Sequence, residues 1–295
     1  MDTNTSQKFN NGVLVGMSGG VDSSVTAALL MEQGYDVSGV TLRLYGCEKD
    51  VAKEEITCGS LKDVQDAKSV CDRLNLPHYV FDFKDRFKKA VIDKFCKEYN
   101  LGKTPNPCID CNRFIKFSEM LMGAEKLNIP RIATGHYASV SKQGDRYIIS
   151  RPKDLSKDQT YVLYSLTQYQ LERTLMPLGE LTKDEVRAFA QDWGFVNANK
   201  PDSQDICFVP DGDYANFISK YTDTPLERGN FVDTNGNVIG SHGGMIKYTI
   251  GQRKGLGMGF GRPVYVVSKD PLKNSVVLGE EADLYSKKVI VRDVN

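Results

Sequence analysis

Gly12-Val-Leu-Val-Gly-Met-Ser-Gly-Gly-Val-Asp-Ser23 decides how this chain is read. Gly12–Val15 is a short apolar run of the kind that forms a buried strand. A glycine-rich turn over Gly16, Met17, Ser18, Gly19 and Gly20 follows, and Val21 leads into an apolar helix expected from about Asp22 to Gln33, ending near Gly34. That order sets main-chain N–H groups and the Ser18 and Ser23 hydroxyls at the positive end of a helix, which suits phosphate. Two adjacent glycines let a pyrophosphate come close to the backbone, and Asp22 could hold a magnesium ion. No Gly-Lys-Ser/Thr follows, so this is not the phosphate loop of kinases and motor ATPases. Read for structure alone, the segment is a strand–helix turn with a Ser/Asp cap.

Working outward, Val37–Leu44 reads as a second strand. Leu61, Val64, Ala67, Cys71 and Leu74 mark the core face of a second helix, and His78–Phe81 a third strand. Phe87, Val91 and Phe95 stripe a third helix, Phe117, Leu121 and Ala124 another, and Ile132-Ala-Thr is the strand after it. Strands alternating with helices predict an α/β fold, a parallel sheet with helices on both faces. Ligands in such sheets sit beyond the carboxyl ends of the strands. Three places qualify: Gly16–Ser23, the region after Val40, and Gly135-His136.

The texture changes after residue 211. Phe231-Val-Asp-Thr-Asn-Gly-Asn-Val-Ile239 predicts a hairpin turning at Asn235-Gly236, and Val264–Val267 and Val276–Leu278 read as further strands. The expected domains are residues 1–211, a smaller β-rich domain over 212–286, and the start of another over 287–295.

A chain of 295 residues has room for roughly two domains. Lys plus Arg and Asp plus Glu both number 38, which argues against a basic nucleic-acid binder but allows a local basic face. Gly240–Gly279 holds six basic residues against one acid, and Lys84–Lys116 nine against four. Apolar runs fall far short of the roughly 20 residues that span a bilayer, and Met1–Asn11 is polar, unlike a signal peptide. Seven cysteines, an odd and irregularly spaced set, predict a reducing cytoplasm rather than a disulfide framework.

Cys71 lies on a helical apolar stripe and reads as a small core hydrophobe. Cys108 and Cys111 form a C-x-x-C between prolines and an expected helix start at Cys111. A thiol there would favour thiolate, helped by Arg113 and Lys116. The pair could also be half a zinc site, although no second C-x-x-C or C-x-x-H follows. Cys207 in Pro201-Asp-Ser-Gln-Asp-Ile-Cys-Phe208 could be a buried hydrophobe, or with Cys111 the second of two thiols in sulfur chemistry.

The glycine loop resembles the PP-loop of N-type ATP pyrophosphatases. Joined in order by Thr104-Pro-Asn-Pro-Cys-Ile-Asp-Cys-Asn112, Ala133-Thr-Gly-His-Tyr137, Lys157-Asp-Gln-Thr-Tyr-Val-Leu-Tyr-Ser-Leu166, Pro201–Phe208 and Thr249-Ile-Gly-Gln-Arg-Lys-Gly-Leu-Gly257, it resembles the tRNA-specific 2-thiouridylases over essentially the whole chain. That resemblance implies an adenine nucleotide alpha-hydrolase-like PP-loop domain, and ATP-driven 2-thiolation of the wobble uridine of tRNA. The uracil C2 oxygen is adenylated, AMP is displaced by sulfur from a cysteine persulfide, and 2-thiouridine, AMP and pyrophosphate result.

By position, Gly16–Ser23 would hold ATP with Mg2+, with Leu42 and Gly135 beside the nucleotide. Cys111 would be the nucleophilic or resolving cysteine and Cys207 the persulfide carrier, the two joining in a disulfide. Asn106, Pro107 and Cys108 fall where the family contacts the target base, and His136, Lys157, Asp158 and Gln159 where it contacts tRNA. Gly251–Gly255 suits phosphate-backbone contact, and reads equally as a solvated glycine-rich turn. Implied partners are tRNA and a sulfur carrier or cysteine desulfurase as persulfide donor.

Two features depart from the family. Many members carry Asp where this chain has Cys108, so Cys108, Cys111 and Cys207 could instead ligate a [4Fe-4S] cluster with an open iron for sulfide. The family usually ends in a further β-barrel domain, and this chain stops at Asn295, where that domain should begin. Other readings are a PP-loop amide-forming ligase and a tRNA-binding module without turnover.

Overall fold

A computed structural model describes residues 11–45, 61–202 and 205–292; Cys47 and Cys58 lie outside these residues. Strand β1 (Gly12–Gly16) runs into helix α1 (Val21–Glu32), then β2 (Asp36–Arg43), α2 (Leu61–Arg73) and β3 (His78–Asp82). Helices α3 (Lys84–Phe87) and α4 (Asp93–Asn100) are joined through wide π turns at Lys88–Ile92. Helix α5 (Pro107–Cys111) widens into π turns over Asn112–Glu119 and continues as α6 (Met120–Lys126). Then come β4 (Arg131–Ala133), the hairpin β5 (Ser139–Gln143) and β6 (Arg146–Ser150), α7 (Gln168–Glu172), β7 (Thr174–Leu175) and α8 (Lys183–Asp192).

Five strands form a parallel sheet in the order β3-β2-β1-β4-β7. Successive residues of β1 face opposite sides, as a strand requires. Val13 and Val15 join a core with Val25 and Ala28 of α1 and Val186 and Ala190 of α8. Leu14 joins another with Phe117, Met120 and Leu121. The α/β sandwich expected from the sequence is therefore present. After β3 the chain returns to the other side of β1, so β1 and β4 flank the point where strand order reverses. A crevice opens there beyond their carboxyl ends.

Several details differ from the sequence reading. Helix α5 begins at Pro107, where a proline fits the first helical position, and not at Cys111. Leu61 is 73% exposed and Val64 only half-buried, while Asp63 is buried. The hairpin β5–β6, turning through Gly144 at φ +57°, and the two-residue β7 carry no strong periodic signal.

One compact unit takes in Met1–Val91 and Pro107–Pro210, and a second Ile92–Asn106 and Asp211–Asn295. The sequence reading kept 92–106 in the first domain. The second unit contains α4, α9 (Tyr214–Thr222) and the strands β8 (Gly229–Val232), β9 (Val238–His242), β10 (Tyr265–Asp270) and β11 (Ser275–Gly279), in sheet order β10-β11-β8-β9. The expected hairpin is β8–β9, with Gly236 at φ +88° in its turn. Phe231, fully buried, centres this unit's core and meets the Tyr248 ring edge-on at 5.1 Å. Among the described residues no helix is long and apolar enough to cross a membrane.

Candidate active site

The glycine loop is shaped from behind. Asn197 donates from Nδ2 to the Gly19 carbonyl at 3.0 Å and to Ser24 Oγ at 2.9 Å. Lys200 Nζ donates to the same carbonyl at 3.1 Å, to Asp63 Oδ1 at 2.9 Å and to Asp66 Oδ2 at 2.8 Å. Ser23 and Ser24 hydroxyls both donate to the Gly20 carbonyl, at 3.0 and 3.1 Å. With its carbonyls so engaged, the loop is left to present N–H groups at the start of α1, whose first turn has no side-chain cap. Uncapped N–H groups at a helix start form an anion site. Gly19 needs to be glycine on two counts: its φ is +72°, and a Cβ would lie 2.7 Å from the Asp63 carbonyl oxygen.

All three strand ends nominated by the sequence line one cavity of about 180 Å³. Gly16, Met17, Ser18, Asp22 and Ser23 come from the loop, Leu42 from β2, and Gly135, His136 and Gln159 from the segments after β4. Lys116, on the π turns after Cys111, also lines it. Gln159 Oε1 accepts from the Tyr137 main-chain N–H at 2.9 Å, and the Gln159 main-chain N–H donates to the Tyr137 carbonyl at 3.1 Å, bracing that segment. His136 is buried, with Nδ1 2.8 Å from Thr134 Oγ1. Burial, with the Lys116 charge adding to it, holds its pKa well below the ordinary value, so the ring is neutral near pH 7.

Asp22 is tied into a chain of ion pairs. Its Oδ1 accepts from Tyr137 Oη at 2.9 Å and from Lys183 Nζ at 2.7 Å. Lys183 also lies 2.7 Å from Asp202 Oδ1, and Lys157 2.8 Å from Asp202 Oδ2. Burial raises the Asp202 pKa, but the hydrogen bonds from Lys157 and Lys183 outweigh it and hold the carboxyl below its usual range. Burial and the Asp22 charge push the Tyr137 hydroxyl far up, so it stays a donor. Asp158 is occupied locally: Thr160 donates to Oδ1 from N and Oγ1, and Arg151 to Oδ2 at 2.8 Å.

Pro107 opens α5, Cys108 next to it is exposed, and Cys111 a turn later is buried. Cys207 is partly exposed, and Asn106 falls in the segment grouped with the second unit. Magnesium bound with a nucleotide needs one or two carboxylates beside the phosphates, and Asp22 next to the loop's N–H groups fits that requirement. A cluster finds no such fit. Among the described residues no three Cys, His, Asp or Glu side chains are grouped as metal ligands.

Sequence reading missed Lys183, and gave no role to Tyr137 and Asp202, although both stand in quoted motifs. Thr182-Lys-Asp-Glu185 does announce a helix start, and its capping box is closed in the structure. Nothing in it says that Lys183 reaches a residue 161 positions away.

Residues 11–211 match the family model described as the tRNA methyl transferase HUP domain, and residues 215–280 that of the tRNA methyl transferase PRC-barrel domain. The tRNA-specific 2-thiouridylase MnmA 1 of Clostridium botulinum (strain Hall) is 52% identical over 283 residues, covering 96% of this chain and 80% of that protein. MnmA 2 of Clostridium tetani is 53% identical over 96% of this chain and 79% of its own length. MnmA of Clostridium kluyveri is 52% identical, with coverage of 96% and 80%.

Proposed function

The chain belongs to the tRNA-specific 2-thiouridylase family, and we propose that it makes 2-thiouridine at the wobble position of tRNA by ATP-dependent sulfur transfer. The loop amides over Gly19–Ser23 hold the phosphates of ATP. The uracil C2 oxygen attacks the α-phosphorus, pyrophosphate leaves, and C2 becomes electrophilic with AMP as its leaving group. Asp22 would hold a magnesium ion, which would supply charge neutralisation at the phosphates.

The terminal sulfur of a Cys207 persulfide then attacks C2, and AMP departs. The Cys111 thiol attacks the Cys207 sulfur, so a Cys111–Cys207 disulfide forms and the thiolated base is released with the transferred sulfur. Asn106, Pro107 and Cys108 approach the base, while His136, Lys157, Asp158 and Gln159 meet the tRNA. A sulfur carrier or a cysteine desulfurase reloads Cys207 in the cytoplasm after the disulfide is reduced.

One observation carries this reading beyond the family: the cavity bounded by the phosphate loop is also lined by Lys116, five residues after Cys111 on the same helical run. An amide-forming ligase would have no need of Cys111 or Cys207. The test is to incubate the protein with ATP, tRNA and a persulfide donor, then digest the tRNA and weigh its nucleosides. One AMP and one pyrophosphate per 2-thiouridine are expected. ATP-dependent binding of tRNA with no thiolated nucleoside would overturn the assignment.

A further inference from the structure

Lys116 joins the nucleotide cavity to the helical run that carries Cys111. Among the described residues lining that cavity, the carboxylate is Asp22, from the phosphate loop, and the Lys or Arg side chain is Lys116, from the π turns after α5. Asp22 already accepts from Tyr137 and from Lys183. A nucleotide entering the cavity adds several negative charges, and Lys116 is the cation in the lining that meets them.

Its place is set by its neighbours on the same run. The turns over Asn112–Glu119 close on the fifth residue along, so Lys116 stands one wide turn after Cys111. Regular α-helix, at 3.6 residues per turn, would set the two about 140° apart around the axis. Such wide turns recur at functional sites. Phe117, the next residue, is fully buried with Leu14 in the core, and its ring lies 5.7 Å from that of His136. Met120 lines the same cavity, its sulfur so near Gly16 that a Cβ there would lie 3.2 Å away. Lys116 itself is half-buried, and its charge already acts on His136, where it adds to burial in lowering that ring's pKa.

We propose that Lys116 is a catalytic residue of the adenylation step, donating from Nζ to a non-bridging oxygen of the ATP α-phosphate. This rests on the reading that the loop binds ATP and that the uracil C2 oxygen is adenylated. The C2 oxygen bonds to the α-phosphorus as the bond from phosphorus to the bridging oxygen breaks. Pyrophosphate leaves with that electron pair, and the N3 proton of the base passes to solvent. Negative charge builds on the non-bridging oxygens in between, and a cation aimed there beforehand stabilises that state. Because Cys111 is one turn away, the activated carbon is held on the wall that carries the resolving thiol.

The test compares pyrophosphate release, with tRNA present, from ATP and from the two diastereomers of ATPαS, in which sulfur replaces one or the other non-bridging α-oxygen. Calorimetry in parallel gives the ATP affinity of each protein. The wild-type protein should be slowed severalfold by sulfur in one diastereomer. Lys116→Met, which keeps the apolar stem and loses the charge, should still bind ATP but release pyrophosphate on the order of 10²-fold more slowly. Its preference between the diastereomers should shrink, whereas a purely structural role would slow all three nucleotides alike. Lys116→Arg, which restores the charge, should recover most of the rate. Pyrophosphate release by Lys116→Met at the wild-type rate overturns the proposal, as does a loss shared equally by the three nucleotides. Should Lys116→Met lose ATP binding altogether, Lys116→Arg carries the same comparison. Its displaced donors should alter the preference between diastereomers, and an unchanged preference overturns the proposal. Wild-type protein that neither binds ATP nor releases pyrophosphate instead overturns the ATP reading beneath it.

Discussion

Gly135 lies against Asp22 so closely that a Cβ at position 135 would sit 2.9 Å from the Asp22 carbonyl carbon and 3.0 Å from the Ser23 nitrogen. The requirement is one of space, because the segment after β4 packs on the backbone of the first turn of α1. Two strand ends are thereby pressed into one cavity wall.

Gly135→Ala should therefore damage the site out of proportion to one methyl group. The backbone on one side must give way, at a cost of about 1–3 kcal/mol for an overpacked contact. Urea unfolding should show a lowered midpoint, and calorimetry a weakened affinity for ATP. Unchanged ATP affinity in a folded variant would mean that the start of α1 does not hold the phosphates.

Asp22→Asn keeps the shape of the side chain and removes its charge. Lys183 then loses one anionic partner, and the proposed magnesium site would lose its carboxylate. Release of pyrophosphate should fall by on the order of 10²-fold, the usual scale for losing one preorganised charged contact at a reacting phosphate. Retention of the wild-type rate in a pyrophosphate assay would remove Asp22 from the role given to it.

Cys207→Ser separates the two halves of the reaction. In the proposed order adenylation precedes sulfur transfer, so ATP should still be split when tRNA is present. Nucleoside mass spectrometry should find no 2-thiouridine, because a serine hydroxyl cannot carry a persulfide. Detectable thiolation by this variant would sink the persulfide route.

All three histidines, His78, His136 and His242, have their pKa values lowered, in each case chiefly by burial. The unfolded chain takes up protons as the pH falls through about 6.5 while the folded chain resists, so stability present above that pH is lost on acidification. A fully linked histidine contributes up to about 1.4 kcal/mol per pH unit. Urea midpoints should drop between about pH 7.5 and about pH 5.5, ahead of any carboxylate titration near pH 4. His136→Gln should flatten that slope, and an unaltered slope would show that His136 is not among its causes.

Local chemistry makes much of this protein legible in its amino-acid order. Apolar runs and the glycine turn depend on neighbours a few residues away and form the elements expected of them, while the buried stripe Phe87, Val91, Phe95 is carried by α3, the π turns after it and α4 in place of one regular helix. The strand ends at Gly16, Val40 and Gly135 likewise named the cavity, because a parallel sheet opens at its carboxyl edge. What the sequence alone could not decide depends on chain closure. Asp63 is buried and Leu61 exposed because Lys200, 137 residues on from Asp63, brings a cation to that face of α2. The pair Thr174-Leu175 becomes a strand only because β4 offers it an edge to pair with. Lys183 meets Asp22 and Asp202 because α8 packs on α1, an arrangement made by apolar burial at Val186 and Ala190 and not by any charge pattern along the chain. Ion pairs between distant residues carry no periodic trace in sequence, so folding alone reveals them.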